Sequence, residues 1–255
     1  MTLDLAGVLR NAWALWRRDR SILTPLSGLF VFVPQWAVLL LVPDVPRIGT
    51  GADNAAAIDA WAQALSGWFA AHGALYVAAM ALGQFGALAL AALYLSRPAV
   101  SAGGALARAL RLLPRFILAS LLVALPLGMV ALMLVPLPGG LLLAMAPIFY
   151  VLARTCLVAP VIAAERGVGA VAAVVRSWAL TRGRGIAIAL LVGGITVTGQ
   201  LAGAVIVAID RALKDAGTGN PVVLAMVDAG AAGAAWAAAL ALALSQVVLY
   251  RRLAR

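Results

Sequence analysis

Residues 160–185, PVIAAERGVGAVAAVVRSWALTRGRG, decide the fold of this chain. A hydrophobic run ends at Ala164, and the charged residues Glu165 and Arg166 interrupt it. A weakly amphipathic, arginine-rich segment follows, and a new hydrophobic run begins at Ile186. This order predicts a helix that leaves an apolar layer, a helix at about residues 166–182 that lies along its surface, and a helix that enters the layer again.

The apolar layer is interpreted as a lipid bilayer, because the composition excludes an ordinary soluble domain. Of the 255 residues, 65% are hydrophobic and 11% are charged, and the mean hydropathy is +1.05. A soluble domain carries about 25% charged residues. Segments that cross lipid must satisfy their own backbone hydrogen bonds, so long runs without alternation indicate helices rather than barrel strands. We predict an all-α polytopic membrane protein in a single domain, residues 1–255.

Six apolar runs are long enough to cross a hydrocarbon core of about 30 Å, which takes about 20 residues per helix. The predicted spans, arranged as three hairpins, are about residues 22–42, 73–95, 116–135, 141–163, 186–209 and 222–250. Short interfacial helices are predicted at residues 1–20, 100–113 and 166–182, and at about residues 58–68 on the other side of the membrane. Pro114 is expected to end the second of them, and Pro34 to kink the first span.

Basic residues are distributed unevenly among the predicted loops. Of 19 Lys and Arg residues, 15 fall on one side, three fall on the other, and Arg154 lies within a span. Basic loops remain in the cytoplasm, so both termini are predicted to be cytoplasmic in a bacterial inner membrane. The same scatter argues against nucleic-acid binding, which favours one soluble basic patch. The expected partners are membrane lipids, with anionic headgroups on the cytoplasmic side.

Each cytoplasmic basic segment precedes a pair of spans. The segment VLRNAWALWRRDRSI at residues 8–22 resembles VVRSWALTRGRGI at residues 174–186, and GALARALRLLPRFIL at residues 104–118 is a weaker third copy. One interpretation is a threefold repeat of a surface helix followed by a hairpin. The other is that any six-span protein with basic inner loops has this layout.

Two charged residues lie inside predicted spans. Arg154 is about nine residues from the cytoplasmic end of the fourth span, and Asp228 is six residues into the sixth. An uncompensated charge at such depth costs several kcal/mol, so these residues are functional candidates. We predict an intramembrane polar pair of Arg154 and Asp228, which is either a structural ion pair or part of a wet pathway or headgroup site.

No catalytic, metal or cofactor site is predicted. The chain has one His and one Cys, and His72 and Cys156 belong to different depths of the membrane. The four residues Ser177, Thr181, Arg182 and Arg184 have hydroxyl and guanidinium groups that suit lipid phosphate. General anchoring to anionic headgroups accounts for the same residues and is the simpler explanation.

The motif in residues 160–184 resembles that of the bacterial glycerophosphoryl diester phosphodiesterase membrane-domain family and related YciC-like proteins. The matching residues are Pro160, Glu165, Arg176, Ser177, Trp178, Thr181, Arg182, Gly183 and Arg184. The segment AWALWRRD at residues 12–19 and the position of Arg154 fit as well, whereas Val175 stands where an Arg is common. Some relatives carry a soluble phosphodiesterase barrel, which this sequence lacks. The resemblance implies a multi-span membrane protein with a role in the envelope, and nothing in this sequence supports hydrolysis.

These observations predict a non-enzymatic integral membrane protein that organises or handles lipids or amphiphilic molecules. The alternative is a small transporter or permease-like protein with a polar path near Arg154 and Asp228. Water access to that path distinguishes the two hypotheses.

Overall fold

The structure, a computed structural model, describes residues 4–46, 55–96, 100–134, 140–215 and 220–254. Within these ranges the chain forms nine α-helices and one π-helical segment, and no β-strand. The helices are α1 Leu5–Ser27, the π-helical segment Gly28–Phe32, α2 Val33–Leu41, α3 Ala55–Leu95, α4 Ala102–Leu134, α5 Gly140–Thr155, α6 Val158–Ala164, α7 Ala170–Leu180, α8 Gly185–Asp215 and α9 Pro221–Leu253. The all-α prediction is confirmed.

Six helical stretches in the described part of the chain are long and apolar enough to cross a membrane, as predicted. They are Leu5–Leu41, Ala56–Leu95, Ala102–Leu134, Leu143–Ala164, Gly185–Leu213 and Pro221–Leu253. The first joins α1, the π-helical segment and α2, and the fourth joins α5 and α6. These lengths and compositions make the chain a multi-pass membrane protein.

The start of α1 and the end of α9 lie on one face of the bundle, called the terminal face below. An Nη of Arg252 donates to the backbone oxygen of Asp4 at 3.3 Å, which joins the end of α9 to the start of α1. An Nη of Arg251 donates to the backbone oxygen of Tyr94 at 2.8 Å, near the end of α3. Thirteen arginines of the described ranges belong to the helix ends and connections of this face. The uneven charge expected from the sequence therefore separates the two faces of one bundle.

The opposite face joins the other helix ends through polar contacts of its own. The indole nitrogen of Trp68 in α3 donates to the backbone oxygen of Pro43 at 2.9 Å. The Arg211 guanidinium near the end of α8 pairs with the Asp44 carboxylate at 2.8 Å. The indole nitrogen of Trp36 in α2 donates to the backbone oxygen of Ala225 in α9 at 3.1 Å.

Burial is greatest in the half of the bundle near the terminal face. α6 is buried almost throughout, and the last four turns of α9 and the end of α3 pack around it. Towards the opposite face the large side chains of α4 turn outwards; Leu125, Met129 and Met133 are all more than half exposed. Such side chains are suited to contact with lipid. The tightest packing between helices therefore lies near the terminal face.

Two predicted interfacial helices are not separate elements. The short helix expected at about residues 58–68 is continuous with its span, because α3 runs unbroken for 41 residues. At 1.5 Å per residue α3 is about 60 Å long, twice the hydrocarbon thickness, so its first turns project beyond the opposite face. The helix end predicted at Pro114 is also wrong. Pro114 lies inside α4, and the carbonyl that it leaves without a helical donor belongs to Leu110, an exposed residue next to the aqueous side.

The first interfacial segment joins its span at a kink. Asp19 has non-helical φ and ψ of −113° and 21°, six residues after Trp13. In the sequence echo at residues 174–186, α7 ends at Leu180, and Gly183, five residues after Trp178, has a positive φ in the turn before α8. Ala12 and Ser177, the residues before each Trp, are both buried. Both segments therefore depart from helical geometry five or six residues after the Trp, whereas α4 is continuous. Nearer the middle of the first span, the π-helical segment ends two residues before Pro34.

Candidate functional site

The fourth span is interrupted beneath the terminal face. α5 ends at Thr155, α6 begins at Val158, and Cys156 and Leu157 form a turn between them. Pro160 explains the break, because it has no N–H to bond the carbonyl of Cys156 four residues earlier and its ring crowds that carbonyl. A proline is tolerated at its position in the first turn of α6. The span predicted at residues 141–163 is thus two helices. Between them lie backbone groups that have no partner within the helices.

Ser177 and Thr181 bond to these backbone groups. The Ser177 hydroxyl donates to the backbone oxygen of Arg154 at 2.8 Å and accepts from the backbone N–H of Leu157 at 3.2 Å. The Thr181 hydroxyl lies 3.3 Å from the same Arg154 oxygen. Both residues are fully buried. Two hydroxyls of the sequence motif therefore stabilise the break in the fourth span, so they face inwards rather than towards headgroups.

Glu165 connects α7 to α9. Its carboxylate pairs with the Arg176 guanidinium at 3.2 Å and accepts a hydrogen bond from the Tyr250 hydroxyl at 3.1 Å. An Nη of Arg108 in α4 donates to the backbone oxygen of Ala163 at 3.0 Å, at the end of α6. The two contacts of Glu165 hold the surface helix α7 against the bundle. This helix extends over Ala170–Leu180 rather than residues 166–182.

A tight turn connects α7 to α8. Gly183 has a φ of +77°, a left-handed conformation that glycine adopts without a Cβ penalty. The Arg182 side chain is exposed on the surface and that of Arg184 is half-buried. The turn therefore places two guanidinium groups beside the start of α8. These are the motif residues that remain available to a headgroup.

Arg154 is the most unusual residue near this turn. It is only 5% exposed, and its guanidinium lies over the ring of Trp178, 4.7 Å from the centroid, with the Tyr150 ring at 6.0 Å. Its buried Nε has no hydrogen-bond partner among the described residues. In that part of the chain no carboxylate forms an ion pair with Arg154.

The predicted pair of Arg154 and Asp228 is wrong. Arg154 packs against Gly185, the first residue of α8. Asp228 instead lines a cavity of about 690 Å³ on the opposite face, together with Asp44, Asp210 and Arg211. Gly185 and Asp210 are 25 residues apart on one helix, or roughly 38 Å. The two charges therefore lie at opposite ends of the bundle, beyond the reach of any side chain.

A second cavity, called the central cavity below, lies between α3, α4, α5, α6, α8 and α9. Its volume is about 390 Å³. Most of its lining is apolar, and its polar lining groups are uncharged: Gln84, Ser120, Thr155, Cys156, Thr196 and Gln246. Gln84 and Gln246 lie in separate apolar runs of the sequence, and the structure brings both to one cavity.

Two other cavities continue a series of shared lining residues from the central cavity to the opposite face. A cavity of about 180 Å³ shares Gln84, Ala87, Ala239 and Ala243 with it. That smaller cavity shares Gln35 with the acidic cavity around Asp228. Towards the terminal face, the central cavity is bounded by the buried helix α6. Each pair of neighbouring cavities thus shares a neutral amide, Gln35 nearer the opposite face and Gln84 nearer the middle of the bundle.

Three features of the site were missed from the sequence. The break at Cys156 and Leu157 was signalled only by Pro160, four residues after Cys156. The positions of Tyr150 and Gly185 next to Arg154 depend on how α5 meets α8, and no spacing within either helix reveals that. Tyr250, the partner of Glu165, lies 85 residues away in the chain.

Comparisons with known proteins add no relative. No family model, no curated protein and no solved structure matches this chain. The resemblance to the glycerophosphoryl diester phosphodiesterase membrane-domain family therefore remains a prediction from the motif.

Proposed function

We propose that this membrane protein is non-enzymatic and binds an uncharged lipid or another neutral amphiphile in its central cavity. The observation that carries the proposal is the cavity lining: an apolar surface with several neutral hydrogen-bonding groups at the depth of the bilayer core. Its volume of about 390 Å³ falls within the range of about 300–1,000 Å³ that small-molecule sites occupy.

The chemistry of the lining selects the class of ligand. Gln84 and Gln246 each offer one acceptor and two donors, and both side chains are partly exposed to the cavity. A buried charge without a counter-charge costs several kcal/mol in this setting. A ligand with an ester, hydroxyl or amide group and an apolar body satisfies the amides without that cost, whereas an ion does not.

Mass spectrometry of the protein purified in mild detergent tests the proposal. The wild type should retain a neutral amphiphile, and the double variant Gln84→Leu, Gln246→Leu should retain at least about ten-fold less, because two buried hydrogen-bonding partners are lost. The matched control is Gln200→Leu in α8, where the side chain is exposed and outside the cavity lining. Equal retention by the double variant and the control would refute the proposal.

A second candidate function is transport, favoured by the series of cavities that leads through Gln35 and Gln84. Transport requires water to reach the central cavity. Cys156, the only cysteine of the chain, lines that cavity, so the wild-type protein carries its own probe.

Labelling of Cys156 with a membrane-impermeant thiol reagent separates the two functions. Amphiphile binding in a dry cavity predicts slow labelling from both sides of sealed vesicles. Transport predicts rapid labelling from at least one side, with Cys156→Ala as the unreactive control.

A further inference from the structure

We propose that Arg154 and the start of α8 bind the phosphate of an anionic phospholipid at the terminal face. The first observation is the buried guanidinium itself. Arg154 is about nine-tenths buried or more, and the described residues offer it two aromatic faces and no anion. Aromatic faces offset only part of the cost of burying a cation, so the site favours an anion that the described residues do not supply.

The second observation is that a helix N-terminus meets the same point. A Cβ built on Gly185 would lie 3.1 Å from Arg154 Cδ and 3.0 Å from the Tyr150 ring, so the guanidinium stem packs against the first turn of α8. At the start of α8, the backbone N–H of Ile188 donates to the backbone oxygen of Arg184. The preceding N–H groups and the helix dipole carry partial positive charge. The Arg154 guanidinium and the N-terminus of α8 thus bring positive charge to one point, which favours a bound anion there.

The surroundings identify the anion as part of a lipid. Trp178 and Tyr150, whose rings flank the guanidinium, are about 40% exposed. On α8, Ile186 and Leu190 are both about two-thirds exposed or more and lie one turn apart. A phosphate at Arg154 would therefore continue into acyl chains along this apolar stripe. A free phosphate ion makes no use of it.

Charge decides between classes of phospholipid. Arg182 and Arg184 lie in the turn beside the start of α8, and no Asp or Glu occurs between residues 166 and 209. A headgroup with net negative charge is therefore attracted more strongly than a zwitterionic one, whose cationic group faces the same arginines.

The phosphate site and the central cavity are separate. Thr155 and Cys156 line the cavity, whereas Arg154 does not and instead faces α7 and α8. The two proposals can therefore fail independently, because the cavity variants leave Arg154 intact.

Native mass spectrometry in detergent with added lipid tests the site. The probes are phosphatidylglycerol, phosphatidylcholine, diacylglycerol and inorganic phosphate. Wild type should bind one phosphatidylglycerol, phosphatidylcholine more weakly, and diacylglycerol not at this site. Arg154→Gln should weaken phosphatidylglycerol binding at least about ten-fold, since charge-assisted hydrogen bonds are lost. The control Arg111→Gln removes the same charge from an exposed position of the same face and should change binding less than about two-fold.

Two further variants keep the test decisive if Arg154→Gln folds poorly. Gly185→Ala retains the arginine but crowds its stem, and should weaken phosphatidylglycerol binding. Gly194→Ala, where a Cβ meets nothing within 4 Å, should not. Equal binding by wild type, Arg154→Gln and Gly185→Ala would overturn the proposal. Competition by inorganic phosphate as strong as that by phosphatidylglycerol would overturn the assignment to lipid. A loss of diacylglycerol binding in Arg154→Gln equal to its loss of phosphatidylglycerol binding would overturn the assignment to phosphate.

Discussion

Ser177 provides the sharpest test of how the broken fourth span is stabilised. Replacing Ser177 with Ala removes the donor to the Arg154 oxygen and the acceptor of the Leu157 N–H. The Arg154 oxygen keeps a weaker contact with Thr181, but the Leu157 N–H is left without a partner in a fully buried place. The methyl group of alanine offers neither a donor nor an acceptor in place of the hydroxyl.

The magnitude follows from these two bonds. A buried polar group left unsatisfied costs about 1–3 kcal/mol, and the lost donor adds about 1 kcal/mol. We expect Ser177→Ala to lower the free energy of unfolding by about 2–4 kcal/mol. At about 2–4 °C per kcal/mol for a chain of this size, the unfolding temperature should fall by about 4–16 °C.

The assay is thermal unfolding in detergent, followed by the monodisperse fraction in size-exclusion chromatography. The matched control is Thr155→Val, whose hydroxyl donates only within its own helix, to the Leu152 oxygen at 3.4 Å and more closely to the Val151 oxygen at 2.9 Å. That carbonyl retains its helical bond, so the control should shift the unfolding temperature by no more than about 2 °C. An unchanged Ser177→Ala, or a control that falls equally far, would refute the reasoning.

Three other pairs of variants test the packing by the same assay. Gly199→Ala drives a Cβ into that of Ala238 in α9 and should cost about 1–3 kcal/mol, whereas Gly203→Ala, with open space around it, should be neutral or stabilising. Gly183→Ala forces a positive φ of +77° on a residue with a Cβ and should cost about 1–2 kcal/mol; Gly103→Ala within α4 should not. Trp236→Phe loses the bond from its indole nitrogen to the Ser27 hydroxyl, 2.8 Å long, and should cost about 1 kcal/mol, whereas Trp13→Phe on the exposed surface should cost less than half of that.

Hydropathy predicts the six spans because each apolar run meets a physical requirement of length. It does not predict where a surface helix becomes a span. The sequence around Pro114 indicates a helix end, but water at the terminal face tolerates the carbonyl that the proline leaves unpaired, so α4 continues. Asp19 bends α1, and Gly183 lies in the turn between α7 and α8. Of these two residues, only the glycine is of a type that indicates the end of a helix.

The failed pairing of Arg154 and Asp228 has a similar origin. The predicted pair placed both residues within a hydrocarbon core of about 30 Å, whereas α8 and α9 have 31 and 33 residues. At 1.5 Å per residue each is nearly 50 Å long, so Asp228 lies near the opposite surface. Depth along one helix also says nothing of which neighbour a side chain faces. Arg154 faces α7 and α8, and that depends on packing between helices.

Phosphate binding and general headgroup anchoring were the two explanations for Ser177 and Thr181 in the motif at residues 160–184. In the structure both hydroxyls bond to the backbone at the break that Pro160 causes. The sequence could not show this, because the break itself appears only when the fourth span is folded. Arg182 and Arg184 remain accessible, as the headgroup hypothesis requires.

Orientation in the membrane is the claim on which the ligand assignments depend, because it places the arginine-rich terminal face at the cytoplasmic leaflet. A pair of alkaline phosphatase fusions, one after Arg255 and one after Asp215 at the end of α8, measures it directly, since this reporter is active only outside the cytoplasm. This orientation predicts an inactive fusion after Arg255 and an active fusion after Asp215. The reverse pattern, or equal activity of the two fusions, would contradict it.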